Sequence, residues 1–168
     1  MTLKIGFVGA GKMVQMAHLP HLLQISGVQP VAIADLDVAA AQRLAATYNI
    51  PRVYNSSQAL VDGEPELDGV IVVTPRMHHA DACLQILERG IPVFMEKPLE
   101  VTVEKGREIV EACQRGNTFV ILAYNNRYDP AYLAAQAILR SGELGAIRYA
   151  QIHSFGGLWR AGGLTSVS

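Results

Sequence analysis

Apolar residues along the chain fall into short blocks of strand length, separated by stretches in which they recur at helical spacing. Lys4 to Val8 is the first block and runs straight into glycines. A helical pattern starts at about Lys12, is interrupted at Pro20 and resumes at His21-Leu22-Leu23. Val31 to Ala34 reads as the second strand. Asp37 is placed to cap a helix from about Val38 to Tyr48, which Asn49 and Pro51 stop. Arg52-Val53-Tyr54 reads as a short third strand, Asn55-Ser56-Ser57 as the cap of a brief helix, and Asp62-Gly63 as a turn.

Val70-Ile71-Val72-Val73 is apolar at every position, the pattern of a central parallel strand covered on both faces. After Thr74-Pro75 the spacing predicts a helix from about His79 to Arg89, ended by Gly90, and then the strand Val93-Phe94-Met95. Thr102 caps a further helix to about Arg115, with Gly116 at its end, and Phe119 to Ala123 forms the next strand. The alternation predicts an α/β fold, a Rossmann-like doubly wound parallel sheet over residues 1–123, with ligands at the carboxyl ends of its strands.

Residues 124–168 follow a different pattern. Asp129-Pro130 opens a helix that runs to about Arg140 and closes at Gly142, and Ile147 to Phe155 reads as a long strand. The residues from Gly156 to Ser168 suggest no further element. The expectation is a linking helix and the truncated start of a second, α+β domain. A strand without its sheet exposes edges and apolar side chains, so a homo-oligomer is expected.

Length and charge narrow the function classes. The 168 residues suit one domain with a buried core plus a remnant, and half of them are hydrophobic. The formal net charge is -1, and Lys and Arg are scattered, so the basic stripe that nucleic-acid binding requires is missing. No apolar run is long enough for a membrane span, and Met1-Thr2 leads directly into a strand, which predicts a cytoplasmic chain. Cys83 and Cys113 belong to no ligand cluster and read as buried free thiols, so no metal is expected.

Chemistry concentrates at strand ends. Gly9-Ala10-Gly11 lies between a strand and a helix, where glycine permits a tight turn and lets backbone amides approach a pyrophosphate. Val14 stands where a third glycine is usual. Asp35 ends the second strand, where a carboxylate can accept the ribose hydroxyls of an adenosine; its other reading is a turn or cap aspartate. A carboxylate repels a 2'-phosphate, and neither Leu36 nor Asp37 supplies a cation, so NAD is favoured over NADP. Glycine loops and strand-end acids also serve other adenosine ligands, S-adenosylmethionine among them.

Glu96-Lys97-Pro98 follows the Val93-Phe94-Met95 strand, at the edge where substrate and nicotinamide should meet. A lysine there can hydrogen-bond the oxygen that gains or loses a proton as hydride moves. The alternative is a surface lysine paired with Glu96. His18 and His21 fall at the kink of the first helix and read as packed or capping residues. His78 begins a helix, and His153 lacks an orienting carboxylate.

Taken together, Gly9-x-Gly11, Asp35, Thr74-Pro75 with His79, Glu96-Lys97-Pro98 and Tyr124-Asn125-Asn126-Arg127-Tyr128-Asp129-Pro130 resemble the N-terminal half of the glucose-fructose oxidoreductase/inositol dehydrogenase family, Gfo/Idh/MocA. The resemblance covers about residues 3–155. It implies an NAD(P)-dependent oxidoreductase acting on a small sugar, cyclitol or related polyol, with Lys97 as the catalytic residue. It also implies a cofactor set of Gly9, Ala10, Gly11, Lys12, Met13, Asp35, Thr74, Pro75, His79, Glu96 and Arg127. Glu96 would stand near the nicotinamide ribose. Departures are Val14, Arg76 in place of a common Asn, and Asn126 in place of the first of a frequent Arg pair. Family members continue into a second domain that supplies an Asp and a His as catalytic partners, and Gly162-Gly163-Leu164 looks like the start of the segment before them.

Overall fold

The computed structural model describes residues 2–151 and 153. These divide after Tyr124 into two compact units. In the first, six strands form one parallel sheet: β1 (Leu3–Val8), β2 (Val28–Ala34), β3 (Arg52–Tyr54), β4 (Gly69–Val72), β5 (Val93–Met95) and β6 (Val120–Leu122), in the spatial order 3-2-1-4-5-6. This is the doubly wound α/β arrangement that the alternating pattern predicts. The strand order reverses between β1 and β4, and the carboxyl ends of these two strands diverge there into a crevice.

Two apolar layers hold the sheet. On one face, α3 (Ser57–Gly63), α4 (His79–Glu88) and α5 (Val103–Arg115) bury Leu60, Val61, Ile86, Leu87, Ile109 and Ala112 against Val70, Val72, Val93 and Met95. On the other, Val14, Leu19 and Leu22 join α2 (Val38–Tyr48) over Phe7 and Ile33. Strand alternation places Ile33, Phe7, Ile71, Phe94 and Ile121 in one row across this second face, because neighbours in a parallel register point the same way. Phe7 and Ile33 are covered, whereas Phe94 and Ile121 remain 36% and 47% exposed.

Capping follows the sequence. Asp37, Ser56 and Thr102 each accept the amide three residues on, at the starts of α2, α3 and α5. Asn49 closes α2 in the left-handed conformation, and Gly90 follows α4 with φ 76°. Asp62 and Gly63, expected as a turn, are instead the last residues of α3. The reason lies one residue beyond: buried Glu64 accepts Arg52 and, at 2.8 Å, the Tyr54 hydroxyl, so the helix end is clamped onto β3. Burial, reinforced by that bond, pushes the Tyr54 hydroxyl up.

The first helix also departs from expectation. Pro20 does not interrupt it. Val14–His18 forms a π turn, in which the Leu19 amide bonds to the Val14 carbonyl, and α1 (Leu19–Leu22) continues directly. Proline has no N–H to donate and its ring crowds the carbonyl four residues back, so a widened turn relieves both problems.

Between Ile5 and Gly6 the ladder to β2 slips: Ile5 pairs with Pro30, but Gly6 pairs with Ala32. The bulge leaves Val31 as the extra residue. A proline inside a sheet is tolerated at such a bulge because no ladder bond is asked of it.

The second unit holds the short turn Asn125–Tyr128 and α6 (Pro130–Ser141), capped by Asp129 and closed by Gly142 at φ 80°. The long strand expected over Ile147 to Phe155 is not found in its described part. Residues 147–151 and His153 are in no strand, and among the described residues no neighbouring strand is there to take up their amides and carbonyls. The remainder of that stretch, and Gly162-Gly163-Leu164, lie outside the described residues. Cys83 is a buried free thiol as expected, while Cys113 is only half-buried.

Candidate functional site

A cavity of about 970 Å³ opens over the carboxyl ends of β1, β2, β4 and β5. Its lining includes Gly9, Gly11, Lys12, Met13, Asp35, Thr74, Pro75, Glu96 and Lys97, so nine residues singled out from sequence are gathered in one place.

The glycine loop has the geometry of a phosphate cradle. Gly9 adopts φ 109°, and a Cβ there would stand 2.4 Å from the Val73 carbonyl oxygen. Its amide is held by the Ala34 carbonyl at 2.8 Å, which fixes the loop to β2. Gly11 differs: a Cβ on it would meet nothing within 4 Å, because the space beside it is the cavity. Val14 is fully buried and packs into the apolar layer with Phe7 and Leu19. A third glycine is therefore replaced by a core residue, which the π turn accommodates.

Asp35 lines the cavity and is tied down on both oxygens. Oδ2 accepts the Ala10 amide at 2.6 Å and Oδ1 accepts the Asp37 amide at 2.8 Å. A carboxylate offers about four lone-pair positions, so two bonds leave capacity for ligand hydroxyls. Ala10 itself is not part of the lining; it acts through its amide. Thr74 lines the opposite wall, and its Oγ1 is buried without a hydrogen-bond partner among the described residues. Such a group at a cavity wall is one that a bound ligand can satisfy.

His79 corrects an expectation. It does not line the groove, because it is 1% exposed and sits behind the wall. Its Nδ1 lies 2.7 Å from the Pro98 carbonyl and its Nε2 3.1 Å from the Thr74 carbonyl. The imidazole therefore ties the segment after β4 to the Glu96-Lys97-Pro98 segment after β5. Arg127 belongs to the second unit, in the turn Asn125–Tyr128.

At the β5 end, Glu96 bonds His18 and accepts the Lys97 amide at 3.2 Å. The His18 Nε2 to Glu96 Oε1 distance is 3.0 Å, and the two side chains are 13% and 16% exposed. Sequence reasoning assigned His18 to packing or capping and missed this pair; it makes no cap bond. Leu36, Ser56, Ser57, His78, Asp81 and Gln85 also line the cavity, although sequence reasoning gave none of them a place in the site. The signal for them is positional: each lies just past a strand's carboxyl end or on the helix that follows.

Paired strand-end acids, a glycine cradle at the switch point and a lysine at the far edge define the class, a dinucleotide-binding Rossmann domain of oxidoreductase type. Residues 3–124 match the family model described as "Oxidoreductase family, NAD-binding Rossmann fold", and the chain belongs to this family, Gfo/Idh/MocA, whose cofactor is NAD. It is 34% identical to an inositol 2-dehydrogenase of Acidothermus cellulolyticus over 86% of this chain and 42% of the relative. With the inositol 2-dehydrogenase of Salmonella typhimurium it shares 36% identity over 86% of this chain and 44% of that one. The crystal structure of myo-inositol dehydrogenase from Lactobacillus casei, in complex with NAD(H) and myo-inositol, superposes with a TM-score of 0.81 at 30% identity. That match covers 87% of this chain and 43% of that structure. The chain thus spans less than half the length of these relatives.

Proposed function

We propose that this chain is the cofactor-binding half of an NAD-dependent oxidoreductase that interconverts a hydroxyl and a carbonyl on a sugar, cyclitol or related polyol. The observation that carries the reading is the placement of Lys97, at the end of β5, in the same cavity as the glycine cradle and Asp35. The glycine loop and Asp35 bind the adenosine and pyrophosphate end, with Lys12 and Met13 beside them. Thr74, Pro75 and Glu96 hold the other end, His79 braces that wall from behind, and Arg127 is a further cofactor contact. The nicotinamide ring, when bound, takes up or returns the hydride. Lys97 holds the reacting oxygen and moves its proton.

Residues 1–123 form the dinucleotide domain in this reading, and residues 124–168 the linking helix and the beginning of a substrate domain. Because the two relatives described above are inositol 2-dehydrogenases, myo-inositol is the first polyol to test. A cytoplasmic homo-oligomer is the setting proposed. It is supported by the apolar residues Phe94 and Ile121 left open on the sheet; light scattering that gives a monomer mass would remove that part. Among the described residues no helix is long and apolar enough to cross a membrane.

A second reading, a dinucleotide-binding module that does not turn over substrate by itself, rests on the coverage of less than half of each relative. Thermal-shift titration with NADH, NADPH and S-adenosylmethionine tests the binding claim that both readings share, since stabilisation grows with the concentration of a true ligand. A rising melting temperature with NADH is expected. No shift with either dinucleotide would sink both readings. Turnover of NAD with myo-inositol separates them, and Lys97→Ala should abolish it while leaving NADH affinity nearly intact.

A further inference from the structure

His18 lies outside the roles given so far, yet its surroundings are built with some care. It comes from the π turn on the helix that the glycine loop opens, while its partner Glu96 follows β5, 78 residues further along the chain. One imidazole touches the strand and the residue that directly follows it. Its ring meets Phe94 edge-on, with centroids 5.9 Å apart at 68°, and its Nε2 meets Glu96. Phe94 and Glu96 are two residues apart, so strand alternation puts them on the same face, and a single side chain above that face reaches both. The π turn adds one residue to the turn that ends at His18, which re-aims the imidazole relative to an unbroken α-helix.

We propose that His18 is a positioning residue for the nicotinamide half of the dinucleotide, holding the Glu96 carboxylate so that its free lone pairs face the ribose diol there. The inference rests on the NAD-binding reading above. An ionised carboxylate only accepts hydrogen bonds, so His18 Nε2 carries the proton and donates to Oε1. Oε2 is held from the other side by the Lys97 amide. Glu96 is thus fixed at both oxygens, and about two of its roughly four lone-pair positions remain for hydroxyl donors from the cavity that it lines.

Topology assigns the end of the ligand. The sheet is two mononucleotide-binding halves that meet between β1 and β4, and a dinucleotide lies across that seam. Asp35, at the end of β2, serves the half that takes adenosine. Glu96, at the end of β5, occupies the corresponding place in the other half. His18 is therefore a link from the helix that the glycine loop opens to the nicotinamide side.

Comparing two ligands on three forms of the full chain tests this. NADH reports on both halves of the site and ADP on the adenosine half alone. His18→Phe keeps a ring against Phe94 and removes the donor. His18→Gln places an amide nitrogen close to where Nε2 stands and restores it. His18→Phe should weaken NADH about tenfold, the scale of one charge-assisted hydrogen bond, and change ADP affinity less than about twofold. His18→Gln should return NADH affinity to within about threefold of the parent. In the unsubstituted chain, the His18 ring resonances should shift on adding NADH and stay in place on adding ADP.

Equal losses of NADH and ADP with His18→Phe would reduce His18 to a packing residue and overturn the proposal. So would an unchanged NADH affinity, or His18 resonances that ignore NADH. A parent chain that binds no NADH at all overturns the NAD-binding reading and this inference with it, whereas parental binding that His18→Phe leaves intact overturns the inference alone.

Discussion

Asp35 accepts the Ala10 amide at 2.6 Å, so the acid that ends one strand holds the glycine loop of its neighbour. The side chain proposed to accept the ribose hydroxyls therefore also shapes the glycine loop. Loss of this carboxylate should therefore be felt in stability and in binding together.

Asp35→Ala should lower unfolding stability by about 2 kcal/mol, since it leaves the Ala10 and Asp37 amides without their charged acceptor. It should also weaken NADH more than NADPH, because it removes a ribose acceptor together with the charge that repels a 2'-phosphate. Isothermal titration with both dinucleotides, beside urea melts, measures the two effects. Equal losses for NADH and NADPH would leave Asp35 as a loop anchor only.

Gly9 and Gly11 should respond to the same substitution in opposite ways. Gly9→Ala drives a Cβ to 2.4 Å from the Val73 carbonyl oxygen at φ 109°, and should cost about 2 kcal/mol or more of stability. Gly11→Ala meets nothing in the protein and should leave the melting temperature unchanged, yet its methyl group enters the space a pyrophosphate takes. Calorimetry paired with NADH titration checks the contrast. Unimpaired binding by a well-folded Gly11→Ala chain would count against the cradle.

Much of this was legible in the sequence, and the parts that were not have physical causes. Strand blocks, caps at Asp37, Ser56, Thr102 and Asp129, and the strand-end acids are set by short-range patterns, so one chain suffices to read them. His18 and His79 depend on partners 78 and 19 residues away, and such pairings leave no local trace. The π turn escaped because proline in a helical pattern announces a break, whereas a widened turn satisfies the same constraint. The described part of the strand expected over Ile147 to Phe155 shows the converse: periodicity can promise a strand, but only a neighbour makes one.

His79→Leu should destabilise the chain by about 2 kcal/mol, because one of the two carbonyls at this buried position loses its imidazole donor. It should also loosen the Lys97 segment, which hydrogen exchange at the Lys97 amide would register as reduced protection. Unchanged exchange there would mean that the brace is dispensable.

Burial pushes the Cys83 thiol from 9.0 up to about 12. A group whose value is raised on folding adds stability that is complete below its unfolded value and fades as the pH climbs through its folded one. Urea midpoints should therefore hold from neutrality to about pH 9 and fall between pH 9 and 12, more steeply for the parent than for Cys83→Ala. Iodoacetamide at pH 8 should spare Cys83 in the folded chain and modify it once urea is added. Labelling at equal rates in both states would contradict the buried position.

The slip at Val31 bears on how relatives of this chain should be aligned. Counted along an uninterrupted ladder from the Ile5–Pro30 pair, Val8 would stand level with Ile33, and Asp35 would lie a residue farther past the glycine turn. The extra residue absorbs that difference, so Val8 pairs with Ala34 and the acid follows at once. A chain with no bulge must carry the acid that corresponds to Asp35 one position earlier in sequence to reach the same point in space. Gap placement within β2, and not the identity of a single column, then decides which residue of a relative is compared with Asp35 when its cofactor preference is judged.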